Sequence, residues 1–178
     1  MQLSLALRAA IACLALLPPM AATQTPAPIV VEATSLIHGI DGYEQKRLFV
    51  RLTSDGSVQW ETAEWQKPNK LHSTKLASEL VSAVIQRLDE VDPKAIRAKM
   101  GPYNVYKDTS AELVISISTL KWSRRFSVIN PWSARSVKPL PGELKVVICE
   151  VDRLHARVAE EPVDAMCGDE GAADSQKR

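Results

Sequence analysis

Alternating apolar and polar residues predict a β-hairpin near the start of the chain. Residues 47–53 place Leu48, Val50 and Leu52 on one face and arginines on the other, as in a half-buried strand. Residues 57–62 alternate in the same way. Between them, Ser54-Asp55-Gly56 puts glycine where a tight turn needs a positive φ, which completes the hairpin signal. The β-branched segment 29–37 predicts a further strand before it.

A period of 3.6 residues replaces the alternation after Ser73, a residue type that favours a helix N-cap. Seven apolar residues then fall within one arc of the predicted helix: Leu76, Ala77, Leu80, Val81, Val84, Leu88 and Val91. Asp92-Pro93 ends this helix and predicts a second, short one through Met100, which Gly101-Pro102 stops.

Alternation returns in residues 111–119 and 125–129, and predicts a second hairpin with its turn around Trp122-Ser123. Residues 144–149 resemble a strand in a short window. Over a longer window, apolar residues recur at helical spacing and predict a helix over 142–159: Leu144, Val147, Ile148, Val151, Leu154 and Val158.

The element order predicts the fold class. Three strands, a helix, two strands and a helix with short links favour an α+β domain. We expect an antiparallel sheet of about five strands, including two hairpins, with two main helices packed on one face.

Composition at the two ends sets the domain bounds. Arg8, the apolar stretch 9–17, Pro18-Pro19 and then Ala21-Ala22 predict a cleavable signal peptide over 1–22, too short in its apolar part to span a bilayer. A lipobox-like Ala10-Ile11-Ala12-Cys13 has too little apolar sequence before the cysteine. We expect a linker over 23–28, one domain over 29–167 and a disordered tail over 168–178, in a periplasmic or secreted protein.

Charge and cysteine content narrow the classes of function. The chain has 22 basic and 21 acidic residues, and loss of Arg8 with the signal makes the two numbers equal. The mature chain therefore has no net positive charge that would attract nucleic acid. Nothing after the signal predicts a membrane span. Loss of Cys13 leaves Cys149 and Cys167, which in an oxidising compartment predict a disulfide. Cys149 would point away from the apolar stripe, so residues 160–167 would cross the outer face of the last helix.

Motifs for catalysis are incomplete. Asp108-Thr109-Ser110-Ala111 has no second copy, which the paired carboxylates of an aspartic protease would need. Ser118-Thr119-Leu120-Lys121 matches the Ser-x-x-Lys signature of serine β-lactamases, but no Lys-Thr-Gly follows. The three histidines lack metal-ligand spacing, and His155 is expected to pack beside the helix stripe. The sequence predicts no cofactor and no metal site.

Tryptophans at strand ends and in loops are candidates for a binding surface, although rings at such positions more often fill an edge of a small core. These are Trp60, Trp65, Trp122 and Trp132, and the last two lie near a basic cluster made of Lys121, Arg124, Arg125, Arg135 and Lys138. We expect Trp122, Trp132, Arg124 and Arg125 to contact a protein or glycan partner. In the alternative interpretation the rings fill edges of a small core.

Several short segments together resemble small exported proteins of unknown function from Gram-negative soil bacteria: 51–60, Met100-Gly101-Pro102-Tyr103, Asn130-Pro131-Trp132 and 162–167. The resemblance covers about residues 46 to 167 and implies export without implying an activity. The leading hypothesis is therefore an exported, non-enzymatic binding module. The alternatives are a small secreted hydrolase using carboxylates such as Glu61 and Glu64, or an inhibitor of a secreted enzyme.

We predict that the mature protein begins at Thr23 or Thr25, because the helix break and the small residues precede these positions. N-terminal sequencing of the exported protein checks this. Retention of Met1, or a lipid on Cys13, would contradict the predicted localisation.

Overall fold

The computed structural model describes residues 27–39, 42, 44–63, 67–103, 109–131, 139–164 and 166–168. Its strands are β1 (Ile29–Gly39), β2 (Glu44–Thr53), β3 (Ser57–Thr62), β4 (Lys70–Lys75), β5 (Lys99–Met100), β6 (Thr109–Ser118) and β7 (Ser123–Ile129). Its helices are α1 (Ser78–Asp89), α2 (Gly142–Ala159) and a 3₁₀ helix (Pro93–Ala95). The predicted signal lies outside these residues, as do most of the predicted linker and tail.

The strands form one seven-stranded sheet in the order β4-β3-β2-β1-β6-β7-β5. Neighbouring strands are antiparallel except β5, which pairs parallel with β7. The predicted α+β class is confirmed. The prediction of an antiparallel sheet of about five strands is wrong, because two strands were missed and one of them makes the sheet mixed.

The first missed strand is β4, which lies where the sequence suggested that a helix begins. Ser73 is not a helix cap: it lies in β4 opposite Gln59, and α1 starts at Ser78 after Ala77, which makes no side-chain capping bond. Most residues of β4 are polar and exposed, so the strand carries no alternating pattern. Its backbone pairing with β3 places it in the sheet.

The second missed strand replaces the predicted helix through Met100. Asp92 does cap a helical turn, since its carboxylate accepts a hydrogen bond from the Lys94 N–H at 2.9 Å, but this 3₁₀ helix ends at Ala95. Ile96 has extended backbone and its side chain is fully buried in the core. This burial favours an extended conformation here over a further helical turn. The following Lys99–Met100 then pairs with β7.

Both predicted hairpins are confirmed. In the turn between β2 and β3, Gly56 has a φ of 87°, and a Cβ there would lie 2.7 Å from the Leu76 carbonyl oxygen. The Asp55 carboxylate accepts hydrogen bonds from the Thr53 hydroxyl at 2.6 Å and the Ser57 N–H at 3.0 Å. These bonds stabilise the charged form and lower the pKa of Asp55 to about 2.

One apolar core lies between the helices and one face of the sheet. The predicted stripe of α2 is buried there: Leu144, Val147, Ile148, Val151 and Leu154. The sheet contributes alternate residues such as Val31 and Ala33 of β1 and Leu113 and Ile115 of β6. On the other face, Arg51 bonds Glu32 at 2.7 Å across β1 and β2.

The predicted disulfide between Cys149 and Cys167 is confirmed, and it fixes the chain that follows α2 against that helix. Glu160 turns the chain with a φ of 57°. The Asp164 N–H then donates to the Asp152 carboxylate at 2.7 Å, and Arg153 donates to the Cys167 carbonyl oxygen at 3.2 Å. The segment after α2 therefore crosses the outer face of the helix, as expected.

We predict that Cys149→Ala together with Cys167→Ala lowers the free energy of unfolding by about 3 kcal/mol, because the bridge closes a loop between residues 18 apart. Urea titration measures the change. Reductant should lower the midpoint of the wild type to that of the variant and leave the variant unaffected. A variant as stable as the oxidised wild type would contradict the prediction.

Candidate binding site

The structure places Trp122, a predicted contact residue, against the core. Its ring is partly buried and packs on the apolar cluster. Its indole N–H donates to the Leu88 carbonyl oxygen at 3.0 Å, near the end of α1. This hydrogen bond satisfies the one polar group of the ring. The arrangement supports the interpretation that Trp122 fills an edge of the core.

The two predicted arginines lie next to each other on β7, and consecutive side chains of a strand point to opposite faces. Arg124 is half-buried and donates to the Pro93 carbonyl oxygen. Arg125 is exposed and lies opposite Ser116 on the face away from the helices. Trp132 lies outside the described residues. The structure thus separates two members of the predicted contact set, and their binding role stays a prediction.

Glu61, one of the two carboxylates suggested for a hydrolase, has a structural role in the sheet. Glu61 Oε2 accepts hydrogen bonds from the Leu48 N–H at 2.7 Å and from the Asn69 amide at 3.0 Å. This carboxylate therefore ties β3 to β2 and to the chain before β4. Glu64 lies outside the described residues. Within the part of the chain that the structure describes, no three acidic, histidine or cysteine residues come together as metal ligands.

His155 packs as expected. Its ring is buried and stacks on Phe49 with the centroids 4.0 Å apart and the planes 16° apart. Burial lowers the pKa of His155, Arg47 adds to this effect, and the Glu161 carboxylate, 3.7 Å from Nδ1, opposes it. The imidazole is therefore uncharged at neutral pH and serves the packing of α2 on the sheet.

A cavity of about 460 Å³ lies between the two helices and the disulfide. Inside it, Glu150 is buried and pairs with Arg87 at 2.7 Å and with Arg153 at 3.1 Å. The remaining charged residues of the lining are Glu90, Glu143 and Lys145. Acidic and basic side chains are equal in number, so the cavity does not favour a charged ligand of either sign.

The outer edge of the sheet at β4 offers a different kind of site. Among the described residues, no strand pairs with the outer side of β4. The Leu76 N–H points inward and donates to the Gly56 carbonyl oxygen at 2.9 Å. Because backbone direction alternates along a strand, the N–H and C=O groups of Leu71, Ser73 and Lys75 point outward. These groups form a row of donors and acceptors to which another extended chain can bind.

A groove of about 570 Å³ runs beside this edge, between β4 and the end of α2. On the strand side, the Trp60 ring stacks on His72 with the centroids 5.2 Å apart, and the His72 imidazole hydrogen-bonds the Thr62 hydroxyl at 2.9 Å. The helix side is formed by Arg157, Val158, Ala159 and Glu160. Side chains of an added strand would therefore meet an aromatic surface and the end of a helix.

Sequence reasoning missed this site because β4 itself was missed. The available signal was the turn-forming Pro68-Asn69 pair directly before a short segment that carries a lysine at each end, Lys70 and Lys75. Lysine is frequent on the exposed edges of sheets. The signal is short and polar, and the predicted helix, with Ser73 as its cap, covered the last residues of β4.

A scan against protein-family models found no match, and a search of curated proteins found none either. The resemblance to exported proteins of soil bacteria therefore stays a prediction. Among the described helices, none combines the length and apolar character that crossing a membrane requires.

We predict that Trp122→Ala lowers the free energy of unfolding by about 2 to 4 kcal/mol, because it removes packing against the core and leaves the Leu88 carbonyl oxygen without the indole N–H. Arg125→Ala, at an exposed position of β7, is the control and should change the free energy of unfolding by less than about 0.5 kcal/mol. Urea melts measure both. If Trp122→Ala melts like the wild type, the ring is available as a contact surface instead.

Proposed function

We propose that the protein is an exported, non-enzymatic binding module that holds a protein partner by adding one of the partner's extended segments to β4. The observation that carries the proposal is the outer edge of β4, with which no strand of the described residues pairs, and the groove beside it. Strand addition uses such an edge for affinity and neighbouring pockets for selectivity.

The edge has the dimensions that this mode of binding needs. β4 is 6 residues long, about the usual length of a strand, and its pairing with β3 runs without a register shift. Five of its six side chains are exposed. Sheets commonly protect an edge by a bulge, by a very short strand, by charged side chains such as lysine or by a covering element. β4 has no bulge and is not very short, and its two lysines lie only at its ends.

Among the described residues, which do not include Trp65 and Trp132, the exposed groups fit a protein partner better than a glycan. Sugar binding of the kind expected from the sequence depends on exposed aromatic rings. Trp122 is partly buried with its N–H bonded, and Trp60 is buried against His72. The exposed recognition groups of the described residues at β4 are instead backbone N–H and C=O groups, which recognise another polypeptide.

Export is supported by the disulfide. Bridges of this kind persist in oxidising compartments and are rare in the cytosol. The bridge joins Cys149 and Cys167, and the only other cysteine, Cys13, belongs to the predicted signal. The balanced charge of the mature sequence agrees with a partner that is not nucleic acid.

We predict that Ser73→Pro abolishes partner binding while Ser73→Ala retains it. The Ser73 N–H lies on the outer edge of β4 and points away from β3. Proline therefore removes a donor that the partner needs and leaves the pairing with β3 intact. Alanine keeps the N–H and removes only the hydroxyl. Immobilised wild type and both variants are incubated with envelope extract, and the retained proteins are compared by mass spectrometry.

The comparison requires that both variants fold, which circular dichroism and urea melts establish. The proposal predicts proteins retained by the wild type and by Ser73→Ala but lost with Ser73→Pro. A retained set that is the same for all three folded proteins would show that binding does not use the β4 edge, and would overturn the proposal.

A further inference from the structure

The charges at the two ends of β4 define the chemistry of its partner. On the basis of the proposed function, we infer that the added strand is an extended peptide. Six of its residues pair with β4: the first and the last of them are acidic, and the second half of this stretch contains apolar residues. One peptide residue then lies opposite each of the 6 residues of β4.

Lys70 and Lys75 are the first and last residues of β4, and both are exposed. Arg157 adds a third positive charge on the helix side of the groove, against Glu160 in the groove lining and the Asp55 carboxylate near Lys75. Directly opposite residues of two paired strands are close enough to interact, and opposite charges there are favourable. An acidic residue at each end of the peptide would meet one lysine.

The same charges argue against a second copy of the chain as the occupant. If β4 of one molecule paired antiparallel along the full length of β4 of another, Lys70 would lie opposite Lys75 at both ends of the pair. Like charges directly opposite are destabilising. The edge is therefore suited to a partner of different sequence.

The middle residues of β4 determine which positions of the bound peptide should be apolar. Leu71 is 55% exposed and shares its face of the sheet with Ser73, so a peptide residue opposite Leu71 can cover that side chain. His72 points to the groove side, where its ring stacks on Trp60. A peptide residue opposite His72 enters the groove, where Leu76 and Val158 supply apolar surface. Antiparallel pairing, as in β3 and β4, places these two apolar residues fourth and fifth in the peptide.

The test uses two labelled peptides, Glu-Thr-Thr-Val-Val-Glu and Lys-Thr-Thr-Val-Val-Lys, each flanked by glycine and serine. Fluorescence anisotropy measures their affinity for the folded wild type, for the Lys70→Glu/Lys75→Glu variant and for Ser73→Pro. We expect the wild type to bind the acidic peptide about tenfold more tightly than the basic one, a preference that salt weakens. The charge-reversed variant should prefer the basic peptide, and Ser73→Pro should bind neither.

Equal binding of both peptides, or a preference that the charge-reversed variant keeps, would overturn the inferred partner chemistry. So would binding of neither peptide, which would show that the two lysines protect the edge. The proposed function itself is judged separately: it survives if extract proteins are retained by Ser73→Ala and lost with Ser73→Pro. A concentration-dependent dimer of the wild type that Ser73→Pro abolishes would assign the edge to a second copy and overturn the inference.

Discussion

The fold depends on β1, which joins two hairpins that are far apart in sequence. Its residues pair with β2 on one side and with β6 on the other, so backbone hydrogen bonds of β1 connect the first hairpin to the second. Val31 and Ala33 of β1 also lie in the core, beneath the helices. These contacts join segments that are far apart in the chain. The sheet therefore has a continuous apolar face for α1 and α2 to cover only after β1 has paired with both β2 and β6.

A buried charge stabilises one arrangement of the two helices. Glu150 is withdrawn from water on α2, and a buried carboxylate is costly unless it is paired. Arg153 reaches its Oε1 from the same helix and Arg87 reaches it from α1, so the second of these two ion pairs forms only when the helices lie side by side. The ion pair between Arg87 and Glu150 therefore favours one register of the two helices.

The sequence predicted the elements in which side-chain period and burial agree. Helix α2 and both hairpins were found because most of their apolar residues lie in one core. The strand β4 was not, because five of its residues are exposed and its place depends on backbone pairing with β3, which leaves no mark on the side-chain pattern. The candidate site was missed for the same reason: its recognition groups are main-chain atoms, common to every residue type except proline.

The covalent loop closed by Cys149 and Cys167 contains residues 157–160, which form the helix side of the groove beside β4. Oxidation of the two thiols therefore ties the helix side of the groove, and the segment that follows it to Cys167, back to the middle of α2. On the proposed function, the reduced polypeptide would hold these residues less firmly and would bind its partner more weakly than the oxidised one. Binding would then be tightest after secretion and bridge formation, which weakens the engagement of acidic segments of cytosolic proteins by an exposed β-edge.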